Sequence, residues 1–240
     1  MKNHRILIAG IFMLMTAMVL PNPAIATIIG SAHDLSIFGG VVYSSNEDEV
    51  CVFCHTPHGG IVTDPAGTGT TLPLWNRNLN YGAAFTMYTS DTFDGTYIGS
   101  KPTGQSLMCL SCHDGVSTFQ SVINYSGAAI LMDPASIEKF SDLVYSPSKN
   151  PNIGRDLSND HPVSFVYNNA LVDADTITRG GGADQLTKPE TVSVAPLKLY
   201  GGRLECTTCH DPHENDIADQ KPFLRMSNAG STMCTTCHIK

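Results

Sequence analysis

This chain is short of positive charge: 14 lysines and arginines stand against 22 aspartates and glutamates, a formal net charge of -8. That balance disfavours nucleic acid as a partner and favours basic proteins or chelated cations. The chain has no nucleotide-binding glycine-rich loop and no Ser, His and Asp arrangement that asks to be explained as a hydrolytic site. It has a single long apolar run, Ile6 to Leu20, shorter than the roughly 20 residues a membrane span requires. No cysteine follows that run closely enough to receive a lipid. Lys2 and Arg5 precede the run and Ala24-Ile25-Ala26 follows it, the pattern of a secretory signal peptide cleaved after Ala26. Residues 1–26 are therefore expected to be removed, leaving a chain with no membrane span that is secreted to the extracellular surface or periplasm. Loss of Lys2 and Arg5 takes the formal charge from -8 to -10.

No cysteine lies outside one recurring motif. Cys-x-x-Cys-His occurs as Cys51-Val52-Phe53-Cys54-His55, Cys109-Leu110-Ser111-Cys112-His113, Cys206-Thr207-Thr208-Cys209-His210 and Cys234-Thr235-Thr236-Cys237-His238. Two thiols at this spacing add to the two vinyl groups of one haem while the next imidazole reaches the iron, so the motif reads as c-type haem attachment. Paired Cys-x-x-Cys units also hold structural zinc, but the residue after them is then mixed. With 9 histidines in 240 residues, random placement puts His after all four motifs with a probability on the order of a few in a million. The pattern predicts four c-type haems, each with its iron.

Removing the first 26 of 240 residues leaves 214, about 53 for each haem. Large apolar macrocycles supply buried surface that side chains otherwise provide. Turn clusters such as Pro65-Ala66-Gly67-Thr68-Gly69, Ser146-Pro147-Ser148-Lys149-Asn150-Pro151 and Gly180-Gly181-Gly182 interrupt the chain too often for long elements. The expected fold is a multihaem cytochrome c: mostly irregular coil, with helical turns at the attachment motifs and a few short strands such as Ser164-Phe165-Val166-Tyr167, packed around four covalently bound haems.

The signals repeat. His33, then Cys51 to His55 with Thr56-Pro57-His58, then Ser106-Leu107-Met108 before Cys109, are followed by His161, then Cys206 to His210 with Asp211-Pro212-His213, then Ser231-Thr232-Met233 before Cys234. Duplication of a dihaem module accounts for this. The modules are 27–145 and 146–240, with a soft boundary and one shared, cofactor-cored unit.

Four irons present eight axial positions. The motifs supply His55, His113, His210 and His238, and once His4 is lost with the signal the remaining imidazoles are His33, His58, His161 and His213. Four ligands match four positions, predicting bis-histidine ligation, which lowers the reduction potential relative to Met/His. Met87, Met132 and Met226 are the rival ligands, whereas Met108 and Met233 adjoin attachment cysteines and read as packing residues. His58 and His213 each lie three residues beyond a motif His, at most about 10 Å when extended and with a proline between. That is too short to round a macrocycle, so each is expected to serve a different haem from its neighbour's. Which haem His33 and His161 serve does not follow from spacing. Glu47-Asp48-Glu49 reads as a solvated acidic patch, and Trp75, Tyr81 and Tyr88 as packing residues.

The segments Cys51 to His58, Asp160-His161-Pro162-Val163-Ser164-Phe165 and Cys206 to His213 resemble multihaem c-type cytochromes of metal-reducing bacteria, in particular outer-surface tetrahaem cytochromes that polymerise into extracellular filaments. The resemblance implies that a His just after the first motif, here His58, ligates a haem of the adjacent subunit. The partners are then further copies in a head-to-tail polymer, with redox proteins or extracellular acceptors beyond them and no nucleic acid. The expected function is long-range extracellular electron transfer rather than catalysis. A monomeric periplasmic shuttle is the alternative, and an oxyanion reductase a further one that needs an open iron position.

Overall fold

A computed structural model of the chain describes residues 28–79, 84–117, 119, 121–137, 151–178, 180, 185–193, 196–214 and 223–239. The expected signal peptide, the expected module boundary between residues 145 and 146, and Tyr81 lie outside the described residues. Regular structure is brief, as a chain rich in turn residues dictates. Strands β1 (Ile61–Thr63) and β2 (Thr71–Trp75) form an antiparallel hairpin, with Ile61 opposite Trp75. Strands β3 (Thr96–Tyr97), β4 (Phe165–Val166) and β5 (Arg203–Leu204) form a second antiparallel sheet with β4 in the middle. The expected strand at Ser164 to Tyr167 is thus present as its two central residues, and it joins chain from before and after residue 145. The helices whose bounds are described are α1 (Gly104–His113), α2 (Asn169–Thr178), α3 (Pro189–Val192), α4 (Cys206–Cys209) and α5 (Thr232–Cys237), with a 3-10 turn at Ala229–Ser231.

The apolar side chains gather in four small clusters, each placed by an attachment motif. Leu35, Val42, Phe53, Ile130 and Met132 pack with Cys54. Leu72, Leu79, Leu107 and Met108 cover one side of α1, and Phe85, Leu110 and Leu157 another. Phe165, Tyr167, Leu171, Val192, Leu197 and Leu204 surround Cys237, with Met226 and Met233 against them. No cluster is large, consistent with a core whose remaining apolar surface is left to the macrocycles.

The acidic triplet needs a correction. Asp48 and Glu49 are exposed, but Glu47 is 7 % exposed, because its carboxylate accepts the Glu49 N–H at 2.8 Å and its own N–H donates to Ser44 at 3.1 Å. The residue closes a local turn rather than facing solvent.

Candidate haem-attachment sites

Each attachment motif closes one turn on itself. The N–H of His55 donates to the Cys51 carbonyl at 2.8 Å, that of His210 to Cys206 at 3.0 Å and that of His238 to Cys234 at 2.9 Å. In the second motif the same turn is the last part of α1. At the first it stays outside any regular helix, a difference from the expected helical turn. A single turn brings both cysteines of a motif to one side, as attachment to one macrocycle needs. All eight cysteines are free of disulfides, and among the described residues no group of three or more His, Cys, Asp or Glu side chains is gathered to hold a bare metal ion.

The first and second motifs are joined through Asn76 and Arg77, both fully buried. The Asn76 N–H donates to the Cys54 carbonyl at 2.8 Å, and its Nδ2 to the carbonyls of Val52 at 2.6 Å and Asn124 at 2.7 Å. Arg77 reaches the other motif, donating to the Ser111 carbonyl from Nε at 3.3 Å and Nη2 at 3.0 Å, and to the Phe119 carbonyl from Nη1 at 2.9 Å. Gly60 lets the hairpin return beside the first motif, since a Cβ there would stand 2.6 Å from the Leu74 carbonyl oxygen.

The second and third motifs meet at Glu205, which is wholly buried. Its carboxylate accepts the N–H of Ser106 at 3.1 Å, the hydroxyl of Ser106 at 2.5 Å, the hydroxyl of Ser164 at 3.0 Å and Nε of Arg203 at 3.1 Å. It also caps α4 in a capping box with Thr208. Arg203, 3 % exposed, continues to Thr68 and Thr70, and Asp64 from that same loop accepts the Gly104 N–H at 2.9 Å. Two carboxylates thus stand at the N-terminus of α1, where the helix dipole favours negative charge. Burial raises the Glu205 pKa, an effect opposed by its hydrogen bonds to Ser106, Arg203 and Ser164. None of Asn76, Arg77, Arg203 or Glu205 stands out in the sequence, because each acts on partners distant along the chain.

Six of the eight candidate ligand histidines come together in pairs. The ring centres of His55 and His213 are 6.2 Å apart, those of His33 and His113 6.1 Å, and those of His161 and His238 6.4 Å. Two imidazoles on opposite faces of one iron, each bonded at about 2 Å, have ring centres about 6 Å apart. The residues present fit a haem iron between each pair. Each pair joins one motif His to one of the additional histidines, and His213 sits opposite His55 rather than its neighbour His210. His58 is exposed, and among the described residues it enters no such pair. His210 is exposed and within electrostatic reach of His33 and His113.

Ring orientation is fixed from outside each pair. Nδ1 of His55 lies 2.6 Å from the Pro73 carbonyl oxygen, Nδ1 of His113 2.5 Å from that of Pro151, and Nδ1 of His161 3.0 Å from that of Pro162. A carbonyl only accepts, so each Nδ1 carries the proton and each Nε2 offers its lone pair. Nδ1 of His213 is held in the same way by the Asp211 carboxylate at 3.1 Å. Burial, reinforced by His113, His213 and His210, pulls the His33 pKa down to about 4, which keeps this imidazole neutral as a metal ligand must be. Met132 is buried among apolar residues, Met108 lies on α1 and packs with Leu72 and Leu79, and the Met226 sulfur accepts the Thr236 hydroxyl at 3.8 Å. Trp75 packs edge-on against His55 at 5.8 Å, and Tyr88 against Phe93 at 5.5 Å.

A sequence family described as the doubled CXXCH motif matches residues 200–240, the stretch carrying the third and fourth motifs. The match supports a multihaem c-type cytochrome, with haem iron held covalently, a class made up mainly of electron carriers. No curated protein matches the chain at a significant level. No helix among the described residues is long and apolar enough to cross a membrane.

Proposed function

We propose that the chain is a secreted tetrahaem cytochrome that carries electrons over distance outside the cell as a head-to-tail polymer. The observation that carries this reading is the set of three imidazole pairs with ring centres 6.1, 6.2 and 6.4 Å apart, each built on a different attachment motif. Bound haem supplies one-electron chemistry at iron. The chain's own residues fasten each macrocycle through two cysteines, present an imidazole from each side and hold four of the six paired rings, His55, His113, His161 and His213, through Nδ1. With two imidazoles per iron no position is left for a substrate, so electrons pass and nothing is transformed.

The segment Asp211-Pro212-His213 ties two haems together, because His210 belongs to the third motif and His213 faces His55 of the first. His58 follows the first motif at the same distance but is exposed and outside the three pairs. It is the imidazole offered to a haem of a neighbouring copy. Each subunit then gives one ligand and receives one, and a head-to-tail contact that does not close into a ring produces a filament.

Electron microscopy of native material, with a haem assay and a His58→Ala variant, tests this. The expected result is four haems per chain, filaments from the native protein, and in the variant lost polymerisation with one haem no longer low-spin. Discrete native particles would indicate the periplasmic shuttle instead. A variant that polymerises normally with every iron low-spin removes the role given to His58.

A further inference from the structure

The three imidazole pairs differ in how their rings are turned and held. The His55 and His213 rings lie 18° from parallel, whereas those of His33 and His113 cross at 85° and those of His161 and His238 at 73°. The parallel pair is fixed at Nδ1 on both sides, His55 by the Pro73 carbonyl at 2.6 Å and His213 by the Asp211 carboxylate at 3.1 Å. His113 has the Pro151 carbonyl at 2.5 Å, but Nδ1 of His33 opposite is buried with no hydrogen-bond partner among the described residues. The other holder, at His161, is again a carbonyl, that of Pro162. Asp211 thus brings a carboxylate where the other three holders are neutral, and it is itself tied down. Its Oδ1 also accepts the His213 N–H at 3.0 Å and its Oδ2 pairs with Arg225 at 2.9 Å. Arg225 in turn donates to the Thr207 carbonyl at 2.7 Å and the Tyr200 hydroxyl at 2.8 Å.

We propose that Asp211 is a positioning residue for the haem between His55 and His213: its carboxylate holds the His213 ring parallel to that of His55 and strengthens it as a ligand, which lowers the potential of this haem below those of the haems at the crossed pairs. The inference rests on the bis-histidine tetrahaem reading. A carboxylate accepting the Nδ1–H polarises the ring more than a neutral carbonyl does, so Nε2 becomes the stronger electron donor. A stronger donor favours ferric over ferrous iron. Ring orientation acts separately. Parallel imidazoles crowd the same iron d orbital and split it from its neighbour, whereas crossed imidazoles raise both alike. The oxidised parallel site therefore gives a rhombic electron paramagnetic resonance signal and a crossed site a single low-field feature. Arg225 balances the charge of Asp211 through space, but it stands on Oδ2 and leaves Oδ1 to the imidazole. An electron on the chain then passes this haem rather than resting on it.

The test is a redox titration of the haem-loaded protein followed by electron paramagnetic resonance, run on the wild type, on Asp211→Asn, which keeps an acceptor but loses the charge, and on the double variant Asp211→Asn with Arg225→Gln. Haem content by haemochrome assay and mass comes first, and fewer than four haems in the wild type contradicts the tetrahaem reading rather than the role of Asp211. With four haems present, the wild type is expected to show a rhombic signal that is reduced at more negative potential than the low-field signals. The reverse order, or no rhombic signal, overturns the proposal. Asp211→Asn is expected to move the rhombic component to more positive potential, and an unchanged potential overturns the proposal as well. Arg225 left without its carboxylate would cause the same shift from a distance, and the double variant separates the two. There the positive shift is expected to persist, whereas a return to the wild-type potential makes the effect one of charge alone and overturns the proposal. Should the variants not load fully, the order of reduction in the native protein decides by itself.

Discussion

The two halves of this protein hold their leading attachment motif with one backbone frame and two different side chains. In the first half the Thr56 N–H donates to Leu74 and the Asn76 N–H to Cys54, at 3.0 and 2.8 Å. In the second, the Asp211 N–H donates to Phe223 and the Arg225 N–H to Cys209, both at 2.8 Å. Leu74 and Phe223 occupy the same left-handed backbone conformation, with φ of 53° and 54°. The side chain that follows makes the same contact: Asn76 Nδ2 donates to the Val52 carbonyl at 2.6 Å and Arg225 Nε to the Thr207 carbonyl at 2.7 Å, each on the residue after the first cysteine. What differs is charge. Asn76 is neutral, whereas Arg225 is a cation paired with Asp211 at 2.9 Å. The geometry of attachment is common to both halves, while the electrostatic setting of each is its own.

Breaking the Arg203–Glu205 charge pair, where the second half meets α1 of the first, should have the largest effect. Glu205→Ala strands the buried Arg203 and is expected to cost about 3–5 kcal/mol, read as a lower denaturation midpoint and a smaller haem-loaded yield. Asp211→Ala, at a partly exposed pair, should cost under about 1 kcal/mol in the same assay. The next largest difference is between the two equivalent donors. Asn76→Ala leaves the carbonyls of Val52 and Asn124 and the N–H of Asn124 short of partners, for about 3 kcal/mol. Arg225→Ala leaves a less buried site, for about 1–2 kcal/mol. The smallest difference is within the strained pair. Leu74→Gly relieves an unfavourable φ at an exposed side chain and should fall within about 1 kcal/mol of wild type. Phe223→Gly relieves the same strain but removes a ring 4.5 Å from His33, and is expected to lose about 1–2 kcal/mol net. If both glycine variants behave alike, the ring contact to His33 contributes nothing.

The chemistry of the site was legible in the sequence because covalent attachment demands a fixed local spacing, and the additional histidines repeat with it. The predominance of coil followed from the turn residues, and the central strand at Phe165-Val166 from its composition. The frame behind the motifs was not legible. Leu74 lies 20 residues after Cys54 and Phe223 lies 14 after Cys209, the residue types differ, and positive φ at a leucine or phenylalanine leaves no compositional trace. The pairing of His213 with His55, and of His33 with His113, depends on contacts between segments more than 75 residues apart in sequence. Glu205 and Arg77 look like ordinary surface charges until their long-range partners are known. Glu47 was misread for the reverse reason: its neighbours are solvated, and only a local turn buries it.

Everything functional here depends on each iron being closed on both sides by imidazole. Low-temperature electron paramagnetic resonance of the oxidised native assembly, followed by carbon monoxide addition after reduction, measures this directly. The account predicts only low-spin ferric signals of bis-histidine type and no carbon monoxide adduct. A high-spin signal, a carbon monoxide adduct on even one haem, or a sulfur-to-iron charge-transfer band marking a methionine ligand would contradict it.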